Sequence, residues 1–146
     1  MVVGNCNMRD ESGRITAVNR PARFTLLNFM KGREYPWNPS ACFYHKLLHE
    51  NIGRYDETND YTMDLDFLLR VVTAAPILYF DEVWGNFRWR PGAKTFEDAK
   101  AGMMYKRIDA LREEYYHQLR WAERVHLGMF RPARSVYRFF KRGFAR

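Results

Sequence analysis

Residues 38–71 read NPSACFYHKLLHENIGRYDETNDYTMDLDFLLRV, and the way this stretch divides decides the organisation of the chain. Ser40 stands where a helix cap belongs, and Phe43, Tyr44, Leu47, Leu48 and Ile52 recur behind it at helical spacing. Gly53 supplies a left-handed terminator, so a helix is predicted from Ser40 to Ile52. Asp56 to Asn59 form a polar loop, after which Met63 to Val72 are apolar nearly all round, the pattern of a buried helix. Its first turn nevertheless carries Asp64 and Asp66. Burial penalises both charges, and the positive end of the helix dipole can compensate, keeping Asp64 ionised at neutral pH. Asp66 can also reach Arg70 one turn on.

On the amino-terminal side, Met1-Val2-Val3, the turn residues Asp10-Glu11-Ser12-Gly13 and Ile15 to Val18 read as strand, turn and strand. A strand of full apolar strength at the first residue looks cut from a larger sheet. Residues 21–31 give a loop and a short helix, broken by Gly32 and Tyr35-Pro36-Trp37-Asn38-Pro39. On the carboxy-terminal side, Ile77 to Phe80 and Val83 to Trp89 are predicted as two short strands around a turn at Asp81-Glu82, closed by Arg90-Pro91-Gly92. Thr95-Phe96-Glu97-Asp98 resembles a capping box, and Phe96, Ala99, Met103, Met104, Ile108, Leu111, Tyr115 and Leu119 predict one long helix toward residue 125. The chain is thus mixed α/β: a unit at 1–94, a long amphipathic helix at 95–127 and a basic aromatic tail at 128–146.

With 146 residues, 47% of them hydrophobic, the chain can bury one core and is not a disordered tail. The net charge of +7 is concentrated after residue 129, where Arg131, Arg134, Arg138, Lys141, Arg142 and Arg146 meet no acidic residue. Interleaved with Phe130, Val136, Tyr137, Phe139, Phe140 and Phe144, they have the composition of an interfacial helix on an anionic membrane; the alternative is that the rings pack on the preceding unit. Cys6 and Cys42, far apart, suggest neither a disulfide framework nor a zinc site, and a reducing cytoplasm is the expected compartment, with the tail at the inner membrane face. No run approaches the length needed to span a bilayer.

The stretch at 38–71, continued by LYFDEVWGNFRWRPGAKT at 78–95, resembles the carboxy-terminal half of family 2 glycosyltransferases. Gly53-Arg54-Tyr55-Asp56-Glu57 looks like that family's loop after a phenylalanine-rich helix, Met63 to Arg70 its acidic helix start, and Phe87-Arg88 its terminal Phe-Arg. The pattern at residues 2–13 is similar to the segment that follows the donor-binding half. The resemblance covers residues 2 to about 95. It implies a partial Rossmann-like, A-type glycosyltransferase fold and an inverting transfer of sugar from a nucleotide-sugar donor to a hydroxyl of a saccharide or lipid-linked acceptor, in polysaccharide or glycolipid synthesis. Asp64 matches the general base, the alternative for it being a helix cap.

Asp66 and Arg70 are candidates for a supporting role, with a structural ion pair as the other reading. Arg88, Arg90 and Lys94 are three cations near one loop that can neutralise a donor pyrophosphate or phosphorylated lipid, or be a solvated basic loop. Trp37, Asn38 and Ser40 match the segment lining the acceptor side. His45 and His49 have metal-ligand spacing but no third ligand, and read as surface histidines. The resemblance implies a divalent metal, Mg or Mn, in the complete enzyme. Its Asp-x-Asp motif and the donor half are not in this sequence; Asp64-Leu65-Asp66 has that spacing only within a helix. The expectation is therefore a fragment, inactive alone, with a noncatalytic acceptor- or membrane-binding module as the alternative. Nucleic acid is not an expected partner, because a basic tail does not account for the Asp64 helix.

Overall fold

Strand β1 (Val2–Arg9) organises the molecule. A computed structural model describes residues 1–129 of the chain; of the tail expected at 128–146, residues 130–146 lie outside the described residues. The Asp10-to-Gly13 turn returns the chain into β2 (Ile15–Asn19), antiparallel to β1, and Asp10 Oδ1 closes the turn by accepting from Ser12 Oγ at 2.7 Å and Arg14 N at 3.0 Å. At the other end of β1, Val2 and Val3 pair antiparallel with the two-residue β3 (Cys42–Phe43). Strand β4 (Leu78–Arg88) runs parallel to β1 along its whole length. The result is mixed α/β, an open four-stranded sheet with helices packed against it.

Two sequence expectations change here. The helix predicted from Ser40 does not begin there: Asn38 is the cap, its Oδ1 accepting from Ser40 N at 2.9 Å, and Pro39–Ala41 form a single 3-10 turn. Pairing to β1 then extends Cys42–Phe43, so α2 is only Leu47–Ile52. Gly53 ends it as expected, at φ 83°. The two short strands around Asp81-Glu82 are one strand. Between Val3 and Asn5 the partner positions move from Tyr79 to Val83, so Asp81 and Glu82 lie in a bulge, not a turn.

The bulge brings β4 close to its neighbours. A Cβ on Gly85 would lie 2.5 Å from Ser40 Oγ and 3.0 Å from Ala41 N, a contact with backbone that cannot swing away. Gly85→Ala is expected to cost about 1–3 kcal/mol through overpacking, seen as a lower urea midpoint with unchanged slope. An unchanged midpoint would mean the strand can shift without loss.

Helix α1 (Leu26–Met30) is capped by Thr25, whose Oγ1 accepts from Asn28 N at 3.1 Å, and helix α3 (Met63–Ala74) buries Leu65, Phe67, Leu68, Leu69 and Val71 as its pattern requires. The predicted long helix is three: α4 (Lys94–Lys100), α5 (Met103–Tyr116) and α6 (Trp121–Met129). Gly102, at φ 70°, breaks the first junction. The capping box does not form, since Glu97 accepts from Gly92 N at 2.9 Å and buried Asp98 turns to Arg107 at 3.1 Å across the corner. The boundary expected at residue 128 falls inside α6.

The core lies where α1, α3 and α5 meet, with Phe29 fully buried among Leu65, Leu69, Ile108, Leu111 and Tyr115. Among the described residues no helix is long and apolar enough to cross a membrane.

Candidate active site

Asp64 is the second residue of α3 and sits half-buried between two adjoining hollows. One, of about 130 Å³, is walled by the rings of Trp37, Tyr61, Phe87, Trp89 and Tyr105 beside Asp64. The other, of about 250 Å³, shares Asp64, Tyr61 and Thr95 with the first and adds Asp60 and Tyr55. The carboxylate therefore belongs to both. Its Oδ1 accepts from Leu65 N at 2.8 Å, the contribution of the helix start.

That contribution does not win. Burial pushes the Asp64 carboxyl above its ordinary value, and the backbone N–H groups of Leu65 and Asp64 only partly pull it back. The helix terminus thus compensates for burial only in part. A carboxyl with a raised folded pKa stabilises the fold most when protonated, below its unfolded pKa, and loses that contribution as pH rises through the folded value. Asp64→Asn is thus expected to raise the melting temperature at neutral pH. The gain should vanish on acidification below the ordinary carboxylate range; thermal unfolding across pH checks both the sign and the window.

Trp37 is held by a residue that sequence reasoning missed. Buried Asn19, ending β2, donates from Nδ2 to Tyr35 O at 3.1 Å and accepts at Oδ1 from Trp37 N at 3.1 Å. This clamp fixes the backbone of 35–37 against the sheet, and Tyr35 packs edge-on to Phe29 at 5.8 Å. Trp89 was also missed. Two residues beyond Phe87, it follows the strand's alternation onto the cavity side, packs at a tilt against Phe96 at 5.5 Å and carries the signal that could have found it.

The other candidates separate. Ser40 is exposed and lines neither hollow; its Oγ lies 3.8 Å from Cys6 Sγ. Arg88 and Arg90 are exposed and also line neither, because alternation turns Arg88 away from the face that carries Phe87. Lys94 comes nearer, lying 3.0 Å from Asp60 and 4.6 Å from the Tyr61 ring, which Arg107 also covers at 3.9 Å. The three cations therefore do not form one phosphate site.

Asp66 faces away from the cavity. Its Oδ2 accepts from Arg70 Nε at 3.0 Å and its Oδ1 from Tyr115 OH at 2.6 Å, while Arg70 Nη1 and Nη2 donate to Ile52 O at 2.6 Å and Arg54 O at 2.8 Å. This is a structural node joining α3, α5 and the loop after α2. Asp64 and Asp66 thus point to different surroundings and do not fit a shared divalent metal; among the described residues no group of three or more metal-ligating side chains occurs.

His49, expected on the surface, is half-buried against Phe67 at 5.0 Å and Tyr44 at 5.3 Å, whereas His45 is exposed. The ring group draws His49 in because α2 packs on α3 there.

No protein-family model, no curated protein and no solved structure matches the chain.

Proposed function

We propose that this chain is the acceptor-side half of a family 2 glycosyltransferase of A-type fold, and that it supplies the general base for an inverting transfer. The observation that carries the reading is Asp64, a half-buried carboxylate shared by two adjoining hollows, one of them walled by aromatic rings. Rings of this kind stack on the C–H faces of sugars, and a desolvated carboxylate with a raised pKa is a stronger base than one in water.

In the proposed reaction the acceptor sugar lies against Trp37 and Trp89 with one hydroxyl directed at Asp64. Asp64 takes the hydroxyl proton as the oxygen bonds to the anomeric carbon, and the nucleotide departs with the electron pair of the broken C–O bond. Asn38, beside Trp37 in the cavity wall, offers an amide for a second acceptor hydroxyl. Asp66 and Arg70 hold the first turn of α3 in place and do not touch the substrate. The donor and its Mg or Mn ion belong to the other half of the complete enzyme, which works peripherally at the cytoplasmic face of the membrane in polysaccharide or glycolipid synthesis.

The test is transfer from a panel of labelled nucleotide sugars by the complete protein, meaning this chain together with whatever sequence its gene encodes upstream. Labelled product with inverted anomeric configuration is expected. Absence of both transfer and donor hydrolysis across the whole panel would remove the reading.

A further inference from the structure

We propose that the outward face of helix α6 is a membrane-docking surface, which lays Trp121, Val125 and Met129 into the interfacial region of an anionic lipid bilayer. The inference stands on α6 and the charge that follows it, and is independent of the sugar-transfer chemistry.

Helix α6 is amphipathic with its apolar side out. At helical periodicity its residues fall into two arcs. The arc toward the molecule holds Glu123, Arg124 and Leu127, all half-buried. Leu127 packs on the core, Glu123 accepts from Arg120 N at 2.9 Å, and Arg124 donates to the carbonyls of His117 and Leu119 and lies over the Tyr116 ring. The opposite arc holds Trp121, Ala122, Val125, Gly128 and Met129, with His126 at its border, and each of them is exposed. Trp121 is 80% exposed and Met129 75%. A surface helix ordinarily does the reverse, turning its apolar stripe inward and its charges to water. Here Glu123 and Arg124 are committed to tying α6 to the junction at 117–120, and the apolar stripe faces away from the fold.

The charge that accompanies the stripe selects its occupant. After Glu123 the sequence has no acidic residue, while Arg124 is followed by Arg131, Arg134, Arg138, Lys141, Arg142 and Arg146. An apolar protein partner would use the stripe and not the cations; a nucleic acid would use the cations and not the stripe. Anionic lipid uses both, since aliphatic and indole groups enter at headgroup depth while guanidinium and ammonium groups meet phosphate. Trp suits that boundary, with an apolar ring and one N–H donor.

Co-sedimentation of the full chain with vesicles tests the assignment. Phosphatidylcholine vesicles containing about one-third phosphatidylglycerol should bind it about tenfold more tightly, or better, than pure phosphatidylcholine, and added salt should shrink the difference. Trp121→Ser combined with Val125→Ser and Met129→Ser should weaken binding to the anionic vesicles about tenfold or more. Leu78→Ser, at an equally exposed apolar position on β4, should leave it within about twofold. A further readout keeps binding intact. With bromine on the lipid acyl chains, tryptophan fluorescence should be quenched on docking, and in Trp121→Phe, which retains an apolar ring, that quenching should fall by about half or more.

No preference for anionic vesicles, a triple variant that binds them like the native chain, or undiminished quenching in Trp121→Phe each overturns the proposal. A triple variant that turns a dimer into a monomer with lipid binding unchanged would assign the stripe to a second copy and overturn it too. Failure of sugar transfer leaves the docking result standing, and failure of docking leaves the catalytic reading standing.

Discussion

Asp64→Asn in the complete protein is expected to lower the rate of sugar transfer by about 10² to 10⁴ while leaving acceptor binding within a few-fold of the native value. Asn keeps the shape and can still accept from Leu65 N, so the helix start and the cavity wall survive; what disappears is the capacity to take a proton. The native enzyme should gain activity with rising pH as Asp64 ionises, and because burial raises this carboxyl, that limb should lie above the ordinary carboxylate range. In the variant the limb should be gone. Measuring kcat and kcat/KM against pH for both proteins separates a base from a structural cap: a cap would alter stability and leave the profile in place.

The largest stability effect is expected at Arg70. Its guanidinium joins Asp66 to the carbonyls of Ile52 and Arg54 and lies 5.5 Å from the Phe67 ring centre, so one side chain ties the end of α2 to α3. Arg70→Ala strands all three acceptors at once. With side-chain exposures of 24% for Arg70 and 15% for Asp66, the pair is screened only in part, and a loss of about 3 kcal/mol is expected. For a chain of this size that corresponds to a fall of roughly 10 °C in melting temperature. Arg70→Lys should recover less than half, since an ammonium cannot span Asp66 and two carbonyls in one plane. If Arg70→Ala melts within about 2 °C of the native protein, the node contributes little and the order of the loop at 53–57 has another source.

Local interactions were legible in the sequence. The helix at Met63–Ala74, the Asp66–Arg70 pair and the stop at Gly53 each depend on residues within one turn of one another, and spacing alone exposes them. The prominence of Asp64 was legible too, as a charge in the first turn of an apolar helix. Trp89 stood in plain alternation with Phe87, and Gly102 stood as a helix breaker in the long apolar stripe; both signals were present and were outweighed by a stronger pattern around them.

Other features had no local signature. Cys42–Phe43 fit a helical pattern until Val2–Val3 offer a strand to pair with, and Asp81-Glu82 look like a turn until β1 holds both flanks in one strand. Asn19 acquires its importance from Tyr35 and Trp37, and Asp98 from Arg107 around a corner.

The sequence by itself determined the mixed α/β class, the buried acidic helix and the polar loop that precedes it, because these follow from periodicity and from backbone preferences acting within a few residues. Only the tertiary structure decided which rings surround Asp64, which cations stay away from it and which way its pKa moves. Desolvation and charge pairing depend on neighbours brought together from β1, β4, α3 and α5, and no stretch of chain short enough to read as a pattern contains them.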